Sequence, residues 1–106
     1  MTAELRDYVI ADGHLDDFVA AWQAGVVPLR ERFGFRIEAA WTVPEERRFM
    51  WILAHDAPEE EWQALNDAYY ASSERVALSP DPAQWVEETR QSFLDPVAVR
   101  ALTAWG

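Results

Sequence analysis

The chain has 106 residues, of which 50% are hydrophobic and 13% aromatic, so one globular domain is expected rather than a disordered or fibrous chain. Nineteen acidic residues against nine basic ones give a formal net charge of -10, which argues against nucleic acid and membrane surfaces as partners. Cysteine is absent, which excludes disulfides and thiol chemistry; with neither an export leader nor a membrane helix visible, we expect a cytoplasmic protein.

The first third of the chain predicts a strand followed by a long helix. Residues 4–10 alternate loosely and end at a turn, Asp12-Gly13, which predicts strand β1. Apolar residues then recur every three or four positions over 15–33, which predicts helix α1. This stripe consists of Leu15, Phe18, Trp22, Val26, Leu29 and Phe33. Pro28 removes a backbone donor from the helix interior, so we expect a bend there.

Two strands follow, and they differ in how many apolar faces they have. Residues 35–43 alternate between apolar and polar side chains, which predicts β2 as an edge strand that is buried on one face. Residues 47–56 predict β3, and the middle of this strand is apolar on both faces. One face carries Phe49, Trp51 and Leu53, and the other carries Met50, Ile52 and Ala54. Both faces of such a strand must be covered by other parts of the protein, and the two predicted helices can cover only one of them.

The second half predicts a broken helix and a final strand. Residues 58–78 predict helix α2, and Ser72-Ser73 offers a fresh N-cap where the helix can break. Residues 85–94 suit a helix or a strand, but the preceding order β1-α1-β2-β3-α2 lacks only a strand to complete a βαββαβ unit. We therefore predict β4 there, at the second edge of the sheet. The tail, 97–106, is expected to pack through Trp105.

These elements predict an α+β, ferredoxin-like fold. The four strands should form an antiparallel sheet with β1 and β3 in the centre and two helices on one face. The apolar faces of β3 agree with a central position, and the polar faces of β2 and β4 agree with the edges. We predict a single domain over 1–106, with a core of about 4–96.

Four segments in order resemble small bacterial NIPSNAP-type proteins. They are ELRDY at 4–8, DGHLDDF at 12–18, VPLRERFGF at 27–35 and YYASSER at 69–75. The resemblance covers about residues 4–96 and implies membership of the dimeric α/β-barrel superfamily, in which two ferredoxin-like sheets pack face to face. A homodimer would then supply the second cover for β3. The superfamily includes cofactor-free monooxygenases, haem-degrading enzymes, lactone isomerases, polyketide cyclases and ligand-binding regulators, so fold alone does not choose the activity.

Three residues are candidates for catalysis. His55, at the end of β3, shares a face with Trp51 and is a candidate general base at a pocket rim. Arg6 and Tyr8 lie two positions apart on β1, hence on one face, and can stabilise an enolate, phenolate or carboxylate. The structural alternatives are a loop-edge histidine that makes one backbone hydrogen bond, and an intersubunit salt bridge from Arg6.

Five residues are candidates for ligand binding. The aromatic side chains of Trp22, Trp41, Trp51 and Tyr69 can stack on a flat ligand, although core and dimer interface are the commoner use of such residues. Arg75 is either an anion anchor or a tether between a helix and a strand. The two histidines have no second metal ligand at a recognisable spacing, so neither a metal site nor a cofactor is predicted.

The sequence therefore predicts a homodimeric protein that binds a small organic molecule, and it leaves open whether the protein is an enzyme. As an enzyme, it would be a cofactor-independent monooxygenase, isomerase or cyclase acting on an enolisable aromatic or polyketide-like substrate. The alternative is a non-catalytic assembly or ligand-carrier module. The expected partners are a second copy of the chain and the ligand.

Overall fold

A four-stranded antiparallel sheet in the order β2-β3-β1-β4 forms the centre of the protein. The computed structural model describes residues 1–100. The strands are β1 (Thr2–Ile10), β2 (Phe35–Val43), β3 (Arg48–His55) and β4 (Val86–Phe93). The predicted ferredoxin-like α+β fold is confirmed, with β1 and β3 in the centre and the helices on one face. The predicted packing of Trp105 lies outside the described residues.

Helix α1 spans 15–32 in three consecutive segments. Two α-helical segments, Leu15–Ala21 and Val27–Arg32, flank a π-helical one, Trp22–Val26. The Val27 N–H donates to the carbonyl of Trp22, which is the wider hydrogen bond of a π turn. Pro28 has no N–H for the next carbonyl, so the regular α ladder cannot continue there. The irregularity expected at Pro28 therefore takes the form of a π segment just before it.

The second helical region breaks at the predicted serine pair. Helix α2 (Glu59–Ala71) ends at Ser72, and the short helix α3 (Ser73–Val76) follows. The Ser72 hydroxyl accepts a hydrogen bond from the Arg75 N–H at 3.1 Å, which caps α3. A 3-10 turn, Pro82–Trp85, then leads into β4. In the part of the chain described, no helix is long and apolar enough to cross a membrane.

The two faces of the sheet have different surroundings. The helix-side face is closed by α1 and α2 over a core that includes Ile10, Phe18, Phe49, Trp51, Leu53 and Trp62. Residues directly opposite each other in an antiparallel pair share a face, so the register assigns the other face. This open face carries Leu5, Val9, Ala39, Trp41, Met50 and Ile52. An ion pair between Arg48 and Asp7, 2.6 Å between Nη2 and Oδ2, lies among them.

Candidate functional site

A cavity of about 330 Å³ opens between the helices and the sheet. Its aromatic wall consists of Tyr8, Phe18, Trp22, Trp51, Tyr69 and Tyr70, and its two charged residues are Arg30 and Arg75. Helix α1 turns Trp22, Val26 and Arg30 toward it, because a spacing of four keeps side chains on one helix face. The strands supply the floor, and the end of α2 together with α3 supplies the opposite wall.

Arg30 is the most unusual residue of this cavity. Its side chain is 0% exposed, and its Nε and Nη1 atoms have no hydrogen-bond partner. The guanidinium carbon lies 3.7 Å from the centre of the Tyr69 ring, 4.7 Å from that of Phe35 and 5.1 Å from that of Tyr70. Aromatic faces partly compensate a buried cation, but they leave its N–H groups free to donate.

The charge of Arg30 is not balanced by a carboxylate of its own among the described ion pairs. Burial, and then repulsion from Arg6, lower the pKa of the Arg30 guanidinium to about 10. At neutral pH the group therefore stays protonated, although its environment disfavours the charge. A ligand that brings a negative charge to Arg30 would relieve this penalty.

Four further groups on the cavity wall also lack a partner for a polar atom. They are the indole N–H groups of Trp22 and Trp51, the Tyr69 hydroxyl and the Arg75 Nε. Burial raises the pKa of the Tyr69 hydroxyl. The positive charge of Arg75 opposes this rise, but Arg75 makes no hydrogen bond to the hydroxyl. Every one of these groups can donate a hydrogen bond, so the wall favours a ligand rich in acceptors.

Arg75 ties a helix to a turn rather than to a strand, and it also lines the cavity. Its Nη2 donates to Asp81 at 3.1 Å, which ties α3 to the turn before β4. Its Nε points into buried space without a partner, and the residue lines the cavity. The Asp81 carboxylate compensates part of its charge, so Arg75 is the weaker of the two cationic anchors.

Arg6 lies behind the cavity and has all three of its guanidinium nitrogens engaged. Nε donates to Glu4 at 2.6 Å, Nη1 to the Tyr70 hydroxyl at 3.0 Å and Nη2 to Asn66 at 3.1 Å. The residue is 1% exposed within its own chain. The ion pair of Arg6 is thus made within its own chain, with Glu4, and its guanidinium contacts Tyr70 without lining the cavity.

The tyrosines around Arg6 respond to it differently. Burial would raise the pKa of the Tyr70 hydroxyl, but the charges of Arg6 and Arg30 outweigh burial and lower it. For Tyr8, burial dominates over the attraction of Arg6, and the pKa of that hydroxyl is raised. Tyr70 is thus the phenol of this cavity whose ionisation the protein favours.

The structure places two of the predicted site residues away from the cavity. His55 lies four residues beyond Trp51 along β3, about 13 Å further by strand geometry, and its Nδ1 accepts a hydrogen bond from the Ala57 N–H at 3.0 Å. Its proposed place as a base at the pocket rim is not supported, and the alternative of a single backbone hydrogen bond describes it. Trp41 pairs with Met50 on the open face and is 51% exposed, so it cannot contact a ligand in the cavity.

The other predicted residues are brought together, and two important ones were missed. Tyr8, Trp22, Trp51, Tyr69 and Arg75 all line the cavity. Neither Arg30 nor Tyr70 was among the candidate site residues. A signal for Arg30 existed, because it lies four residues after Val26 and eight after Trp22, on the apolar stripe of the helix. No sequence pattern linked Tyr70 to Arg6.

Comparison with known proteins agrees on the fold. No protein-family model matches the chain, and no curated protein matches its sequence. Among solved structures, a NIPSNAP domain protein from Burkholderia xenovorans is 21% identical with a TM-score of 0.78, over 95% of this chain and 99% of that one. A NIPSNAP family protein from Agrobacterium tumefaciens is 11% identical with a TM-score of 0.80, over 95% and 97%.

A structure described as an antibiotic biosynthesis monooxygenase is also similar, at 14% identity and a TM-score of 0.63 over 92% of this chain and 100% of that one. At these identities the likeness concerns the fold, and it extends over nearly the whole of each chain. The resemblance noted in the sequence is confirmed at that level: the chain has the fold of bacterial NIPSNAP-family proteins.

Proposed function

We propose that this protein binds a small organic anion with a flat, apolar body in the cavity between its helices and sheet. The observation that carries the proposal is Arg30, a fully buried guanidinium with two nitrogens free of hydrogen bonds. A buried cation without a partner is costly, and proteins retain such groups where they have a use. A carboxylate, enolate or phenolate would accept from the free N–H groups and balance the charge.

The rest of the cavity supports an aromatic or polyketide-like body for this anion. Its volume of about 330 Å³ lies within the range of small-molecule sites. The rings of Trp22 and Trp51, which meet edge to face at 5.5 Å, contribute aromatic surface to its wall. The charged anchors lie on the helical wall, so the ligand would carry its negative group at one end and its apolar part toward the sheet.

Catalysis on an enolisable ligand is the enzymatic form of this proposal. Cofactor-independent oxygenation, isomerisation and cyclisation all pass through an enolate or a related anion, and a preorganised cation stabilises such a species. The structural similarity to an antibiotic biosynthesis monooxygenase is in keeping with this class of chemistry. The alternative is a non-catalytic carrier that uses Arg30 only to hold an anionic ligand.

We propose a homodimer as the assembled form, with the open face of the sheet as the interface. Half-buried and exposed apolar side chains lie on this face, among them Trp41 at 51% exposure on the edge strand β2. No helix of the chain covers this face within residues 1–100. A second copy of the sheet would bury these side chains and would supply the second cover that β3 requires.

Binding can be tested with matched charged and neutral ligands. We expect benzoate, salicylate and phenylpyruvate to raise the melting temperature of the wild-type protein, and their amides to have little effect. In Arg30→Met the affinity for the acids should fall about tenfold to a hundredfold, because a hydrogen bond to a charged group contributes about 1.5–3 kcal/mol. Calorimetric titration would measure this loss.

Arg36→Met is the control, because Arg36 is a surface arginine on β2 that pairs with Asp56 and Glu38 away from the cavity. It should bind the acids as the wild type does. Equal affinity of Arg30→Met and wild type, or no binding of any acid in the panel, would contradict the proposal.

A further inference from the structure

We propose that Tyr70 is the proton acceptor of the cavity, that Arg6 positions it, and that it takes a proton from an enolisable ligand whose developing anion Arg30 stabilises. This inference rests on the proposed function and deepens it, because it assigns a proton-transfer residue to the same site. It also replaces His55, which the structure places outside the cavity.

The geometry around Tyr70 is that of a fixed phenol. Its hydroxyl accepts a hydrogen bond from the Arg6 Nη1 at 3.0 Å, and Arg6 is itself fixed by Glu4 and Asn66. The Tyr70 side chain lines the cavity and is 43% exposed, so a molecule entering from solvent can reach it. A buried side chain thus anchors the hydroxyl from behind, and the ring remains accessible.

Three arginines from three different elements surround Tyr70. Arg6 lies on β1, Arg30 on α1 and Arg75 on α3. Arg6 donates a hydrogen bond to the Tyr70 hydroxyl. The guanidinium carbon of Arg30 lies 5.1 Å from the centre of the Tyr70 ring, and that of Arg75 lies 5.4 Å from it. Two carboxylates partly offset the three cations, since Glu4 pairs with Arg6 and Asp81 with Arg75. The neighbouring hydroxyls of Tyr8 and Tyr69 are neutral at physiological pH. The net positive field favours the phenolate, in agreement with the lowered pKa of Tyr70.

The proton transfer balances without a further reactant. The phenolate oxygen of Tyr70 forms an O–H bond as the C–H bond next to the ligand's carbonyl breaks. The electron pair of that C–H bond moves into the new C=C bond, and the carbonyl electrons move to oxygen, which gives an enolate held by Arg30. Return of the proton to carbon restores Tyr70 and leaves either the starting ligand or its isomer.

Spectrophotometric titration tests the state of Tyr70, because the chain has only three tyrosines. The pKa values of Tyr8 and Tyr69 are raised and that of Tyr70 is lowered, so one tyrosinate should form below the ordinary pKa of about 10 and two above it. Tyr70→Phe should remove the first step. The double variant Glu4→Gln with Arg6→Met removes both charges of the supporting pair and should move this step to higher pH. A first step that survives in Tyr70→Phe, or that does not move in the double variant, would overturn the assignment.

Deuterium exchange then tests the transfer itself, with phenylpyruvate as the probe. Its methylene protons should exchange into D2O faster with the wild-type protein than in protein-free buffer, as followed by proton NMR. Tyr70→Phe should lower the protein-dependent rate about a hundredfold, the size typical of a general base, and should bind phenylpyruvate within a few fold of wild type. His55→Ala should exchange at the wild-type rate.

The outcomes separate this inference from the proposed function. If phenylpyruvate binds with the expected dependence on Arg30 but exchanges no faster than in buffer, or exchanges equally in Tyr70→Phe, the role of Tyr70 is overturned and the binding site stands. If benzoate or salicylate binds the wild-type protein but phenylpyruvate does not, the role of Tyr70 is overturned and the binding site stands. If no acid in the panel binds, the proposed function fails together with this inference. A loss of exchange in His55→Ala equal to that in Tyr70→Phe would also overturn the assignment.

Discussion

A single side chain, Arg30, connects the stability of this protein with its proposed function. The described residues hold three buried arginines, and Glu4 and Asp81 pair with two of them. The third, Arg30, has no carboxylate partner among the described ion pairs and packs against aromatic rings, which contribute about 2 kcal/mol when a cation is desolvated. The desolvation penalty of an ion is several kcal/mol, so the free protein holds this charge at a net cost. The fold by itself does not require a cation at position 30.

We therefore predict that Arg30→Met leaves the free energy of unfolding unchanged or raises it by up to about 2 kcal/mol, because an apolar side chain of similar length removes the unpaired charge. Urea denaturation of ligand-free protein would measure the difference. Arg36→Met should stay within about 0.5 kcal/mol of wild type, as exposed substitutions usually do. A loss of more than about 1 kcal/mol in Arg30→Met would show that the guanidinium is a structural group.

At the scale of elements, the C-terminal end of α1 shows how His55 is used. Gly34 follows the helix with a φ of 86°, and a Cβ built on it would lie 3.0 Å from the His55 Nε2. The His55 ring packs edge to face on Phe35 at 4.9 Å and is anchored by the Ala57 N–H. This histidine therefore packs the turn between α1 and β2 against β3.

Two glycine substitutions separate backbone strain from this contact. Gly13 has a similar φ of 79° with nothing within 4 Å of its added Cβ, so Gly13→Ala should cost about 1 kcal/mol from strain alone. Gly34→Ala should cost about 1 kcal/mol more, because the His55 ring must shift. Combining Gly34→Ala with His55→Ala should remove this extra cost, as a double-mutant cycle in urea would show. Equal costs at the two glycines would mean that the ring moves freely.

At the scale of the whole molecule, the chain has one covered and one open sheet face. The helices cover the first face, and the core side chains and the cavity lie between them and the sheet. The second presents apolar residues around the ion pair between Arg48 and Asp7. A pair of such faces would be held by the apolar side chains and oriented by the ion pairs among them. The proposed dimer also places the cavities on the outer sides of the assembly, where each remains accessible.

Trp41 offers the test of this assembly. Trp41→Glu puts a charge on the exposed apolar surface of the open face, on the edge strand β2. We therefore expect the protein to become a monomer at micromolar concentrations in sedimentation equilibrium, with its fold kept by circular dichroism. Thr42→Glu is the matched control, because Thr42 is exposed but pairs with Phe49 and so lies on the other face. It should sediment as the wild type does. A wild-type protein that is monomeric at these concentrations would contradict the dimer.

Local patterns explain why the fold was predictable from the sequence. The apolar spacing of α1, the two apolar faces of β3 and the capping Ser72 each reflect rules that act over a few residues, and all three were confirmed. The ambiguous segment 85–94 was resolved by the order of the other elements, and β4 forms there. The π segment before Pro28 was not foreseen, since a proline in a helix is compatible with several local geometries.

The sequence by itself determined the order of the elements, the central place of β3 and the aromatic, arginine-bearing character of the helix side, because periodicity and turn chemistry are local. Only the tertiary structure decided which polar groups meet. It places His55 and Trp41 outside the cavity and joins Arg6 to Glu4 and Tyr70 by hydrogen bonds. It also leaves two nitrogens of the buried Arg30 without a hydrogen-bond partner. Arg6 and Tyr70 are 64 positions apart in the chain, and no local rule acts over that distance. Their meeting depends on how α2 crosses the sheet, which is set by the packing of the whole core.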